Sequence, residues 1–187
     1  MPNPLRPSPD FLLSTYFRAK DENRPHLMAS AFSESASLEM VLNTGTISFP
    51  PQSCGLAAIA DVLVSRFAQT YENVYSFYLQ RPAPTASSFV CNWLVGMSEK
   101  ASGAVRVGCG RYDWRFEQES PFLVGGLTIT VEAMQVLPSV NLRPVMAWLS
   151  KLPYPWCSAR AALASAPSIV GLEPVLQYVS HVGADGS

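Results

Sequence analysis

The residues whose types and spacing suggest chemistry lie between Gly110 and Glu117, where Tyr112, Trp114 and Phe116 alternate with Arg111, Asp113, Arg115 and Glu117. An extended chain turns successive side chains to opposite faces, so this run has one aromatic and one charged face. The charges alternate in sign, and a solvated or interfacial row accounts for them without a site. Other reactive groups do not converge. Cys54, Cys91, Cys109 and Cys157 form no C-x-x-C pair and the histidines are His26 and His181, so no metal site is expected. Cys91 and Cys109 fall on neighbouring strands, where a disulfide is conceivable, but all four cysteines are read as free packing residues. Cys54 precedes Gly55 at a helix start, without a histidine nearby in sequence to make it a nucleophile. His26 reads as a surface residue, and Asp21 and Glu22 as solvated. No phosphate loop or Ser-His-Asp arrangement stands out, and no cofactor is expected.

These residues sit in a chain of 187, which suggests one domain with an appendage. Charged residues are 14% of the chain, against about 25% in ordinary globular proteins, and AVILMFWYC residues are 48%. Such a chain has ample core and few charges to cover its surface, which predicts apolar surface buried in a homodimer. Lys plus Arg number 13 and Asp plus Glu 14, with no basic block, so nucleic-acid binding is not expected. No uninterrupted apolar run reaches the roughly 18 residues of a membrane span. The start, MPNPLRPSPD, has prolines where a signal peptide needs an apolar run. A soluble, cytoplasmic protein is the expectation.

Prolines are absent from 52–81 and 85–120, where regular structure is expected. A flexible arm at 1–8 precedes a first helix over FLLSTYFRAKDE, with Asp10 as cap and Leu13 and Phe17 on one stripe. Pro25 opens a short second helix carrying Leu27, Met28, Ala31 and Phe32, and SLEMVL turns strand-like. Ser53 caps a third helix, with Leu56, Ile59, Leu63 and Phe67 recurring at helical spacing up to about Tyr71. Phe89 to Met97 then alternate with period two, EKASGA turns the chain, and VRVGCGRYDWRFEQ completes a hairpin. Val105, Val107 and Cys109 are apolar on the face that later carries charge, so something covers it there, such as a second subunit. A third long strand, LTITVEAMQVL, sets Leu127, Ile129 and Val131 against Thr128, Thr130 and Glu132. The class is therefore α+β, a curved antiparallel sheet on about three N-terminal helices over 9–138. A helical C-terminal extension at 139–180 and a frayed tail at 181–187 follow. Within the extension Trp148, Leu149, Leu152 and Trp156 need burial, either closing a pocket or extending an interface.

Tyr16 in the first helix, A-F-S-E-S-A-S-L-E-M at 31–40, S-C-G-L-A-A-I at 53–59 and Y-D-W-R-F at 112–116 together resemble the nuclear transport factor two-like superfamily. That cystatin-like α+β cone includes ketosteroid isomerase, scytalone dehydratase and small polyketide cyclases. The resemblance implies a cone-shaped fold over about 9–138, paired through the outer face of its sheet. In ketosteroid isomerase an aspartate base moves a proton while a tyrosine and a protonated aspartate hold the enolate oxygen. Alignment places Tyr16 at the oxyanion tyrosine, Phe32 and Ala36 at packing positions, and Tyr112 at the second oxyanion position. A one-residue slip would put Asp113 there instead. Met40 takes the place of the base, and a thioether accepts no proton at neutral pH. Adjacent Glu39 points to the opposite face unless a bulge intervenes. The expected site is thus Tyr16 and Tyr112 as hydrogen-bond donors, with Met40, Trp93, Trp114 and Phe116 as apolar wall. Two functions follow from it. One is binding of a small hydrophobic molecule without the usual isomerase base. The alternative is an isomerase, dehydratase or cyclase-like enzyme acting on a small apolar carbonyl or phenolic compound.

Overall fold

The computed structural model of the protein describes residues 6–184, so parts of the expected arm and tail, 1–5 and 185–187, lie outside the described residues. Helix α1, Pro9–Asp21, begins one residue after its cap, because Ser8 and not Asp10 accepts the Phe11 N–H, at 3.2 Å. Pro9 occupies the first helical turn, where its missing N–H costs nothing. Asp10 instead pairs with Arg81, with Arg81 Nε to Asp10 Oδ2 at 2.7 Å. The second helix is a single 3-10 segment, Pro25–Ser30, so Phe32 already belongs to strand β1, Phe32–Leu42.

Strand β1 starts earlier than its sequence suggests because its pairing shifts register between Phe32 and Ser37. The shift breaks the two-residue period, yet Ala36, Leu38 and Met40 all turn inward below it. Strand β2, Gln52–Cys54, occupies the position read as a helix cap. Ser53 lies in β2, and Gly55, at φ +86°, starts the helical run instead. That run is α2, Leu56–Ala60, a π turn, Asp61–Ser65, and α3, Arg66–Thr70, in unbroken succession. Strand β3, Tyr71–Tyr78, follows and was not expected. Strands β4, Ser88–Glu99, β5, Val105–Phe116, and β6, Val124–Leu137, match the three expected ones.

The sheet is six-stranded, in the order β2-β1-β6-β5-β4-β3. All neighbours are antiparallel except β1 and β6, which run parallel. Its concave side wraps α1 and the α2–α3 helix and buries the main core, with Leu13, Phe17, Phe32, Leu63, Trp114 and Leu127 among its side chains. Its other side carries a second core, which corrects the expected second subunit over Val105, Val107 and Cys109. Helices α4, Leu142–Leu149, α5, Ala159–Ala164, and α6, Glu173–Ala184, cover these residues with Val145, Leu149, Val175 and Val179. Helix α4 seats Leu149 on Gly96, where any Cβ would collide with Leu149 Cδ1. The indole of Trp148 is buried with its N–H donated to Ala162 O at 2.9 Å. The extension therefore lies on the back of the sheet, and α6 continues through His181 to Ala184 where a frayed tail was expected. Among the described residues no helix is long and apolar enough to cross a membrane.

Candidate functional site

Helix α1 and strands β4, β5 and β6 converge on a narrow apolar throat of about 50 Å³ inside the cone. Tyr16, Met40, Trp93 and Tyr112 line it, four of the six residues expected from the sequence. Trp114 and Phe116 do not. Both are buried beyond it, and Trp114 packs edge-on to Tyr16 with ring centroids 5.5 Å apart. Strand pleat explains the division between Met40 and its neighbour, since Met40 is 7% exposed while Glu39 faces outward and accepts a hydrogen bond from Thr128 Oγ1 at 3.4 Å. The register shift in β1 lies upstream of both, so it does not turn Glu39 inward.

The two phenols meet, with Tyr16 and Tyr112 ring centroids 6.4 Å apart at 86°. Burial holds the Tyr16 hydroxyl far above the ordinary phenol range, the nearby Asp21 charge raises it further, and a hydrogen bond from Tyr112 offsets part of this. Burial likewise raises Tyr112, followed by the fields of Tyr16, Cys91 and Asp21 and by the hydrogen bond it gives to Tyr16. Both are therefore neutral phenols that donate hydrogen bonds without releasing protons. The indole of Trp93, 4% exposed and 5.6 Å from the Tyr112 ring, has an N–H with no hydrogen-bond partner in the protein. A buried donor in that condition costs about 1–3 kcal/mol unless something in the throat accepts from it.

A third tyrosine, Tyr78, stacks on Phe17 at 3.7 Å, but its hydroxyl donates to Leu13 O at 2.9 Å and is already used. Lys20, one turn beyond Tyr16 on α1, is a further residue on the throat wall, only 7% exposed. Its ammonium binds Asp21 Oδ1 at 2.9 Å and Ser76 Oγ at 2.6 Å and lies 4.9 Å from the Phe67 ring centroid. Asp21 is thus not solvated as expected. Its side chain is 5% exposed and also accepts from Ser76 N and from Tyr154 OH. Glu22 is exposed and paired with Arg24 at 3.1 Å. The signal for Lys20 was its place on the buried α1 stripe with Leu13 and Phe17, where a lysine is unusual unless paired.

Beside the throat lies a wider vestibule of about 420 Å³, framed by the loop 45–50, the α2–α3 helix, Tyr71 and Arg106. Ile47, Phe49 and Phe67 line both spaces and stand between them. Thr46 Oγ1 donates to Met134 O at 2.5 Å, which ties the loop to β6. Arg106 pairs with Glu99 at 3.3 Å, donates Nη1 to Thr46 O, and lies 5.6 Å from the Tyr71 ring centroid. All four cysteines are free, and Cys54 is exposed, which corrects its reading as a packing residue.

No family model matches the chain, and no curated protein matches it in sequence. Solved structures do. A hexachlorocyclohexane dehydrochlorinase LinA-type3 from Novosphingobium barchaimii LL02 superposes with a TM-score of 0.55 at 11% identity, over 67% of this chain and 85% of that one. A nuclear transport factor 2-like superfamily protein from Salmonella enterica gives 0.51 at 16% identity, over 65% and 87%. A ketosteroid isomerase-like protein from Erwinia carotovora gives 0.50 at 11% identity, over 66% and 93%. At these identities the likeness concerns the backbone, and it joins the helix-filled, curved six-stranded sheet to a single architecture: this chain has the nuclear transport factor 2-like fold.

Proposed function

We propose that the protein binds a small apolar molecule in the cone, with its polar atom held by the Tyr16–Tyr112 pair and the Trp93 N–H. The observation that carries this is the convergence of the neutral Tyr16 and Tyr112 phenols and the Trp93 indole, whose N–H has no partner in the protein, on a mostly apolar throat. Ligand sites commonly combine a mostly apolar wall with a few such polar groups. The throat is small, since liquid water takes about 30 Å³ per molecule, so the bound portion is slim. Catalysis of a proton shift would need a base at the position of Met40, and the inward wall there offers none.

Native mass spectrometry of freshly purified protein, followed by extraction, tests the reading. The expected result is one small apolar molecule per chain, lost when Met40→Trp fills the throat. Empty protein that also takes up no 1-octanol would overturn it. Isomerisation of a steroid β,γ-enone by the unaltered chain would refute the non-catalytic part, and the solved dehydrochlorinase shows why that assay belongs beside the binding one.

A further inference from the structure

The charged groups on these two spaces are not balanced. Lys20 lines the throat, Arg66 and Arg106 line the vestibule, and among the described residues no carboxylate lines either. Composition does not produce this, because the chain holds 14 acids and 13 Lys plus Arg. Their acidic partners Asp21, Asp61 and Glu99 are not among the lining residues.

Resting on the binding function proposed above, we infer that the ligand is an amphipathic carboxylate. Its unbranched tail enters the throat past Ile47 and Phe67 and carries there the oxygen held by the Tyr16–Tyr112 pair and the Trp93 N–H, while its carboxylate head sits in the vestibule on Arg106 and Arg66. Arg106 is suited to the head group, for its side chain is 13% exposed, its Nε is buried without an acceptor, and Thr46 O and Glu99, the latter at 3.3 Å, engage one N–H on each terminal nitrogen and leave the other free. A guanidinium offers five donors in a planar fork that matches a carboxylate in two-point contact. Arg66, with a side chain 60% exposed and paired to Asp61 at 2.6 Å, adds a weaker, hydrated contact. The narrowness of the throat, about 50 Å³, selects a single chain over fused rings.

Calorimetric titration with 7-oxooctanoate and 2-octanone, which share a methyl-ketone tail and differ in the carboxylate, tests this. The oxo-acid is expected to bind the unaltered chain at least tenfold more tightly. That ratio falls towards one in Arg106→Gln and partly in Arg66→Gln, whose exposed site protects the fold. Equal binding of the two probes overturns the carboxylate assignment and leaves the pocket standing. A preference for the oxo-acid that survives both substitutions overturns the placement of the head group. Binding of neither probe removes the cone-binding function and this inference together.

Discussion

Removing the Asp21 carboxylate should expose the cost of burying Lys20. Asp21 accepts from Lys20 Nζ at 2.9 Å, Ser76 N at 2.9 Å, Ser76 Oγ at 2.8 Å and Tyr154 OH at 3.1 Å. In Asp21→Ala the ammonium of Lys20 keeps only Ser76 Oγ and two aromatic faces, at an exposure of 7%. Breaking a buried pair from one side costs about 3–5 kcal/mol, because the remaining charge is left uncompensated. With a urea slope of about 2 kcal/mol per molar, the unfolding midpoint falls by about 1.5–2.5 M. The double variant Lys20→Met, Asp21→Asn removes both charges and is expected to lose only about 1 kcal/mol. Equilibrium urea unfolding followed by tryptophan fluorescence and far-UV circular dichroism compares the three proteins. A double variant as unstable as Asp21→Ala would refute the uncompensated-charge explanation.

Three further outcomes follow from burial and from the partly covered sheet. Iodoacetamide at pH 8 is expected to label one thiol per native chain, Cys54, since the other three are buried, and fast labelling of Cys109 would contradict the packing described. Burial pushes the Cys109 thiol up to about 12 and, with the Cys109 and Glu132 charges, the Tyr178 phenol to about 12. The folded state therefore holds these protons more tightly than the unfolded chain. Their contribution is complete below about pH 9 and is lost as the pH rises towards 12, so urea midpoints should fall over that range. The uncovered half of the outer face, with Val41, Val90 and the Arg111–Asp113 pair, is the surface we propose for a homodimer. Sedimentation should then give twice 20.4 kDa, and a species at 20.4 kDa would exclude the dimer.

Elements whose side chains alternate or recur without interruption were legible in the sequence. Strands β4 and β5 keep their period over twelve residues, β6 keeps it from Gly126 to Val131 between two register shifts, and α1 keeps its stripe. Strand β3 was not legible because Asn73, at φ +54°, and a register shift between Glu72 and Tyr75 break the alternation. Strand β2 is three residues long, too short for any pattern. Of the site, Tyr16, Met40, Trp93 and Tyr112 could be placed because each sits on a regular element whose face is fixed by its neighbours. The 45–50 loop could not, since a loop's path across the cone mouth has no periodic signature, and with it the vestibule that this loop frames around Arg106 of β5 was hidden. The identity of the cover over Val105 and Val107 was equally hidden, because an apolar face specifies burial and not the chain that supplies it.

The parallel pairing of β1 with β6 also governs when the protein can fold. Met40 lies opposite Ile129 and Leu38 opposite Leu127, partners about ninety positions apart along the chain. During synthesis at roughly 5–20 residues per second, β1 emerges many seconds before the strand that completes its longest pairing. Until then the nascent chain has α1 and β1 with one edge unpaired and the inward side chains Leu38 and Met40 without their opposite wall. Pairings so distant place the molecule among slow-folding topologies, and they make the emergence of 124–137 the step that commits the whole cone.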